Sequence, residues 1–207
     1  MHLVHCTANR TAVGLTRAFT PRHPWQMKSY VVLLRGINVG GKNKLPMAAL
    51  RSFLEEQGCA EVRTYIQSGN VILRSPRDTK SLGARIEKGL STSFKLDSAT
   101  IRVLLLTKKQ LQAVVENRPQ GFGDQPGKYH SDVIFLMGIG AGEAMKVFAP
   151  REGVDTVWPG KGVIYSQRLS SQRTKSRLNK IVGTPAYQSM TIRNWNTTTK
   201  LLAMLDE

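Results

Sequence analysis

Only two cysteines, Cys6 and Cys59, occur in 207 residues. They are too few for a disulfide framework and lack the paired spacing that holds a structural metal. A reduced compartment, the cytoplasm, is the expected setting. Histidine is nearly as scarce: of His2, His5, His23 and His130, only the last lies beyond residue 26, which argues against a His-rich metal centre in the body of the chain. The wholly apolar stretches, such as 31–34 and 133–137, fall far short of the ~20 residues that a membrane-spanning helix needs. No polar loop pairs two carboxylates, no Ser or Cys has a His partner in view, and no nucleophile elbow occurs. General acid and base candidates are therefore nearly absent, and no catalytic residue, metal ligand or cofactor is assigned.

Acidic residues are also in short supply, 14 against 30 basic ones, for a formal charge of +16. Residues 1–26 contribute three Arg and no acid, residues 27–120 sixteen bases against seven acids, and residues 121–207 eleven against seven. The excess thus concentrates in the first half. Such a field draws phosphorylated metabolites and nucleic acid, while a solvated basic surface without a ligand remains the plainer alternative.

Residues 1–26 stand apart. Arg10, Arg17 and Arg22 with several threonines resemble a transit peptide in composition, but Pro21 and Pro24 interrupt any amphipathic run. Met27 is followed at once by the strand-like 30–34, as though the chain proper began there. The segment is therefore expected to be a disordered, non-native or misassigned extension, outside the fold.

From Met27 the pattern reads β-α-β-β-α-β. Tyr30–Leu34 is a buried strand ending in a Gly-rich turn; Pro46 opens a helix over Met47, Leu50 and Leu54 that Gly58 stops. Strands over 62–66 and 71–73 flank "QSGN"; Leu82, Ile86 and Leu90 mark a second helix; Ile101, Val103 and Leu105 alternate as a strand. "TKKQ" has capping-box form, with Thr107 at the N-cap and Gln110 at N3. "GFGDQPGKYHS" is the expected seam between subdomains. The second half repeats the plan: strand 133–137, a short helix near 143–148, a hairpin from 154–158 to 163–166 turning through "PGKG", a helix over 178–182, strand 189–193 and a closing helix from about Asn196. The expected fold is α+β: a ferredoxin-like subdomain over 27–118, then a second α+β subdomain over 119–207 with a C-terminal helix.

The most suggestive stretch is "LLRGINVGGKNKLP". Gly36, Gly41 and Lys42 sit at G-x-x-x-x-G-K spacing behind a strand, yet Asn43 stands where a nucleotide loop needs Ser or Thr, and the helix waits until Pro46. An ATPase is excluded on those grounds. A looser anion site survives: Arg35, Lys42 and Lys44 supply charge, Gly36, Gly40 and Gly41 let amides approach, and Asn38 and Asn43 donate and accept. A surface loop with glycines for backbone geometry is the competing reading. Gln67, Ser68 and Asn70 form a second polar turn, expected toward the opposite end of the sheet, where backbone geometry suffices as explanation. In "TIRNWNTTTKLL", capping by Asn194 or Asn196 and core packing by Trp195 are favoured, with Arg193 and Asn194 as candidates to complete a pocket with the first loop. "GIGAGE" is a poor dinucleotide fingerprint because Glu143 would repel pyrophosphate. "SSQRTKSRLNK" carries four bases and no acid, by default a solvated helix start. The strands lack the paired aromatics of an RNA-binding sheet.

At "YVVLLRGINVGGKNKLPMAALR", "VRTYIQSGNVIL" and "TIRNWNTTTKLLAM", the chain closely resembles the bacterial family termed domain of unknown function 1697, from Met27 to the end. The resemblance implies a ferredoxin-like subdomain followed by a second α+β unit and a start just before the first strand. It implies no catalytic residue, because the family's role is not established. The basic "SSQRTKSRLNK" departs from its pattern.

The expected function is anion binding through the Gly-rich basic loop. The expected partner is a phosphorylated small molecule or nucleic acid, with no membrane; monomer and dimer both stay open. One alternative is a small metal-independent hydrolase of phosphate or acyl-phosphate bonds, with Arg35 as anion clamp and Asn38, Asn43 or Asn70 positioning water. Another is an interaction module without ligand.

Overall fold

The computed structural model describes residues 27–97 and 101–207. The expectation of a disordered extension over 1–26 falls on residues outside these. The elements run β1 (Lys28–Arg35), α1 (Met47–Glu56), β2 (Ala60–Tyr65), β3 (Asn70–Ser75), α2 (Thr79–Ser93), β4 (Arg102–Thr107) and α3 (Lys108–Glu116). They continue through β5 (Tyr129–Leu136), α4 (Ala141–Met145), β6 (Asp155–Gly160), β7 (Val163–Leu169), three 3-10 turns within 170–189, β8 (Met190–Asn194) and α5 (Trp195–Met204). They form two four-stranded antiparallel sheets, ordered β2-β3-β1-β4 and β6-β7-β5-β8. The α+β arrangement of two successive units expected from the sequence is the one adopted.

Local chemistry accounts for most boundaries. Thr107 accepts from the Gln110 amide at 3.2 Å while the Gln110 side chain accepts from the Thr107 amide at 2.9 Å, the reciprocal capping box that starts α3. Pro46 is the N-cap residue of α1 rather than its first turn. Gly58, at φ +83, ends that helix, its amide reaching Glu55 O at 2.9 Å, since a left-handed residue is needed to turn the chain away.

Three apolar layers hold the sheets. Tyr30, Val32 and Leu34 of β1 pack with Leu50, Leu54, Leu82, Ile86 and Leu90 beneath α1 and α2. The alternate residues Val31 and Leu33 face the other way, into a cluster with Leu111, Phe122, Val133, Phe135, Tyr165, Trp195 and Leu201. This middle layer joins both sheets through α3 and α5. Ile134, Leu136 and Ile164 form the third cluster, with Ala144, Ile181 and Met190. Burial on both faces explains why β1 and β5 read as unbroken apolar runs rather than alternating ones.

Two sequence-level expectations are corrected here. The helix expected over 178–182 is a 3-10 turn at Leu178–Gly183, between two others; only Leu178 and Ile181 are buried in it, and two anchors three residues apart suit a 3-10 turn as well as an α-helix. The hairpin turns at Lys161-Gly162, because Pro159 and Gly160 still pair with Ile164 and Val163. Within the segment that connects α3 to β5, Phe122 is fully buried, edge-on to Trp158, Tyr165 and Trp195 at centroid distances of 6.0, 5.1 and 5.2 Å.

Candidate functional site

The Gly-rich loop leaves the C-terminal end of β1 and is closed from within. Asn38 and Asn43 both have positive φ, +53 and +48, a conformation that asparagine tolerates better than other non-glycine residues. The Asn38 side chain donates to Leu45 O at 2.9 Å and Gln67 O at 2.8 Å and accepts from the Leu45 amide at 2.8 Å. Asn43 donates to Gly36 O at 2.7 Å and accepts from the Asp97 amide at 2.9 Å. The two amide side chains thus shape the loop. At its tip, Val39 and Lys42 form an isolated bridge. Gly40 and Gly41 are left-handed, with no atom within 4 Å of an added Cβ, and Lys42 and Lys44 are exposed.

The polar turn at Gln67, Ser68 and Asn70 lies against this loop, not at the opposite end of the sheet. β1 and β3 are antiparallel neighbours, with Leu33 opposite Asn70, so the start of β3 necessarily sits beside the end of β1. Gly69 O accepts from the Leu34 amide at 2.8 Å. A Cβ on Gly69 would sit 2.7 Å from Ile37 Cδ1 and 2.8 Å from Leu34 Cβ; glycine is required there by both φ, +73, and space.

Arg193 is a clamp rather than an open ligand contact. Its Nε donates to Asn70 Oδ1, Nη1 to Thr191 Oγ1 at 2.9 Å and Ile192 O at 2.8 Å, and Nη2 to Leu34 O at 2.8 Å and Ser68 O at 3.1 Å. All five donors of the guanidinium are used, every one on a neutral oxygen. Burial pulls its pKa down to about 10, so it remains charged near neutrality. Arg35 also reaches the second sheet: Nε donates to Met190 O at 3.0 Å and the guanidinium lies 5.2 Å from the Tyr187 ring centroid. The candidates on β1, the β2–β3 turn and β8 therefore meet, but Arg193, Asn38, Asn43 and Asn70 hold the structure together while Lys42 and Lys44 stand outside it.

A cavity of about 170 Å³ opens where β8 gives way to α5, lined by Gly123, Tyr129, Ser131, Asn194, Trp195 and Asn196 among others. Asn194 caps α5, its Oδ1 accepting from the Asn196 amide at 2.9 Å. Ser131 is 5% exposed and its hydroxyl lacks a hydrogen-bond partner. Sequence reasoning offered Arg193 and Asn194 to complete a pocket with the Gly-rich loop and favoured Trp195 as core packing; this cavity is a different one, without that loop, and its Gly123, Tyr129 and Ser131 were missed. The doubled glycine of "GFG" was the available signal, because Gly123, at φ +81, lets the loop pass over the Trp195 indole.

On the outer face of the second sheet, the His130 ring contacts Asp132 Oδ1 at 3.1 Å, and Arg168 Nη2 lies 3.8 Å from Asp132 Oδ2. Burial pushes the Asp132 carboxyl up, against the opposing pull of His130 and Arg168. Asp155 is shifted the other way: burial acts upward but is outweighed by amide donation from Arg177 at 2.8 Å and Arg151 at 3.0 Å. The basic stretch 170–180 is thus a run of 3-10 turns whose backbone reaches Asp155 at Arg177, while its four bases are exposed. Among the described residues no helix is long and apolar enough to cross a membrane.

The fold and site define a two-sheet α+β protein with an internally braced Gly-rich loop at the junction of its sheets. The chain belongs to the family described as protein of unknown function (DUF1697), whose pattern matches residues 27–165. The match ends before "TIRNWNTTTKLLAM", so that stretch lies outside it. The solved structure of a conserved bacterial protein from Streptococcus pneumoniae is similar, at 30% identity and a TM-score of 0.68, covering 86% of this chain and 99% of that one. No curated protein matches.

Proposed function

We propose that the protein is a cytoplasmic binding protein whose Gly-rich loop takes the phosphate of a phosphorylated small molecule or of a nucleic-acid backbone. The carrying observation is the division of labour in the loop. Asn38 and Asn43 fix its shape from within, while Lys42 and Lys44 are exposed beside two left-handed glycines with open space around them. A braced loop presents its charges at low entropic cost on binding, and the lysines act on phosphate as point charges. A thermal-shift screen against nucleotides, sugar phosphates and short RNA and DNA at two salt concentrations tests this. Stabilisation by one ligand class that disappears in Lys42→Ala/Lys44→Ala supports it; an unchanged response in that variant overturns it.

One observation favours the interaction-module reading. Val39 and Ile66, on the two loops that Asn38 ties together, are 67% and 52% exposed. Val39→Ser/Ile66→Ser would abolish capture of a protein partner and leave phosphate binding intact. The hydrolase reading gains nothing comparable, since the amides of Asn38, Asn43 and Asn70 are committed within the protein.

A further inference from the structure

We propose, building on the loop reading above and resting on it, that the end of the molecule at which β1 and β5 finish is an interface for the sugar-phosphate backbone of a nucleic-acid double helix. Arg35 closes β1 and stands directly opposite Arg102, the first residue of β4. Lys42 and Lys44 lie on the loop that leaves β1, and Lys95 comes two residues before Asp97, whose amide donates to Asn43 of that loop at 2.9 Å. The second sheet continues the same end. Arg35 Nε donates to Met190 O at 3.0 Å, Met190 stands opposite Leu136 at the end of β5, and the Leu136 amide donates to Gly162 O at 3.0 Å. That chain of contacts brings Lys161, beside Gly162 in the β6–β7 turn, to this end. Lys42, Lys44, Lys95, Arg102 and Lys161 are all exposed.

Among the described residues, none of these five cations is in an ion pair. The acids near them are Glu87, whose carboxylate accepts from the Val103 amide at 2.7 Å, Asp97, and Glu143 on α4. At the opposite end, where β1 starts, bases and acids neutralise one another: Arg74 pairs with Glu61 at 2.8 Å and Lys108 with Asp206. The chain's positive excess is therefore placed on one end rather than spread evenly, and a field of one sign draws a polyanion to it.

The form of this end selects among polyanions. A phosphorylated metabolite is held in a pocket that covers most of it, whereas these cations stand on loops of both sheets, and a Cβ on Gly40, Gly41 or Gly162 would meet nothing within 4 Å. Separate charges on open loops suit a ligand that repeats its own charge, as a duplex does about every 1.7 Å along its axis. Single strands are gripped by stacking their bases on aromatic faces. The large apolar side chains exposed here, Val39 and Ile66, are aliphatic, so a double helix, with its bases stacked inside and its phosphates outside, is the better match.

Fluorescence anisotropy of the full-length protein with a short labelled DNA duplex, from about 50 to 200 mM salt, tests the proposal. Arg102→Glu/Lys161→Glu is expected to weaken the duplex about tenfold or more and to make the dependence of log affinity on log salt shallower by about 2. Lys28→Glu/Lys109→Glu changes the charge equally at exposed positions of the opposite end and is expected to stay within about twofold of the wild type at the higher salt, where distant charges are screened. The same strand without its complement is expected to bind more weakly than the duplex. A small-phosphate thermal shift lost in Lys42→Ala/Lys44→Ala, with duplex affinity indifferent to Arg102→Glu/Lys161→Glu, would overturn the interface and leave the loop reading standing; a loop variant without effect on either ligand would overturn both. Equal weakening by the opposite-end pair, tighter binding of the single strand, or variant-sensitive binding to vesicles of equimolar phosphatidylcholine and phosphatidylserine with none to duplex would each overturn the interface.

Discussion

Arg193 donates through Nε to Asn70, 123 residues earlier in the chain, and the bond joins the last strand of the second sheet to the turn of the first. The guanidinium has no carboxylate among its five acceptors. Its charge is carried inside the protein by carbonyl, amide and hydroxyl dipoles alone. Removing such a group leaves several oxygens unpaired, and removing an acceptor leaves a charged donor unpaired. Arg193→Met is expected to lower the unfolding free energy by about 3–5 kcal/mol and Asn70→Ala by about 2–3 kcal/mol. Urea denaturation of the single and double variants checks this, with the double costing less than the sum because the two side chains share one interaction.

Gly121 and Gly123 form a matched pair within one loop. Both have positive φ, +78 and +81, but a Cβ on Gly121 meets nothing within 4 Å, whereas one on Gly123 falls 2.3 Å from Trp195 Nε1. Gly121→Ala is expected to cost about 1 kcal/mol from backbone strain alone. Gly123→Ala displaces the indole as well and is expected to cost about 2–4 kcal/mol. Near-ultraviolet circular dichroism distinguishes them, with the Trp195 contribution altered only in the second.

Asp132 and Asp155 give opposite pH dependence within one sheet. The Asp132 carboxyl is raised in the folded state by burial. Its contribution to stability is therefore complete below the unfolded carboxylate value of about 3.9 and declines as pH rises through the higher folded value. Asp155 is lowered, its amide donors outweighing burial; its contribution is present above about 3.9 and is lost as pH falls through the lower folded value. Stability of Asp132→Asn, measured from pH 3 to 7 and referenced to the wild type, is expected to improve toward pH 7. That of Asp155→Asn is expected to worsen over the same interval.

Cys59 is buried, and burial pushes its thiol up to about 11. In a Cys6→Ser background, labelling by iodoacetamide at pH 8 is expected to proceed only as fast as the fold opens, and so to accelerate with sub-denaturing urea. Prompt labelling in buffer would contradict this placement.

What was legible in the sequence was local. The capping box at Thr107 and Gln110, the stop at Gly58 and the doubly buried β1 each follow from residues within a few positions of one another. The role of Arg193 was not legible, because its acceptors at Leu34, Ser68 and Asn70 are brought to it only when the two sheets pack. The same holds for the cavity beside Trp195: Ser131 and Gly123 look like ordinary strand and turn residues until α5 arrives. In the loop at 36–45 the sequence showed the right residues but not their division of labour. An asparagine in a polar loop reads equally well as a ligand donor or as an internal brace, and only the hydrogen bonds of Asn38 to Leu45 and Gln67 and of Asn43 to Gly36 decide between them.

The middle apolar layer changes what the two halves are. Val31, Leu33 and Ile72 of the first sheet and Val133, Phe135 and Tyr165 of the second are covered by the same two helices, α3 and α5, one from each half of the chain. Severed near Pro119, the first half would keep α3 but lose α5, and its sheet would present an oily face to water. The halves are thus interlocked rather than modular. Either half made alone is expected to expose that face and to aggregate.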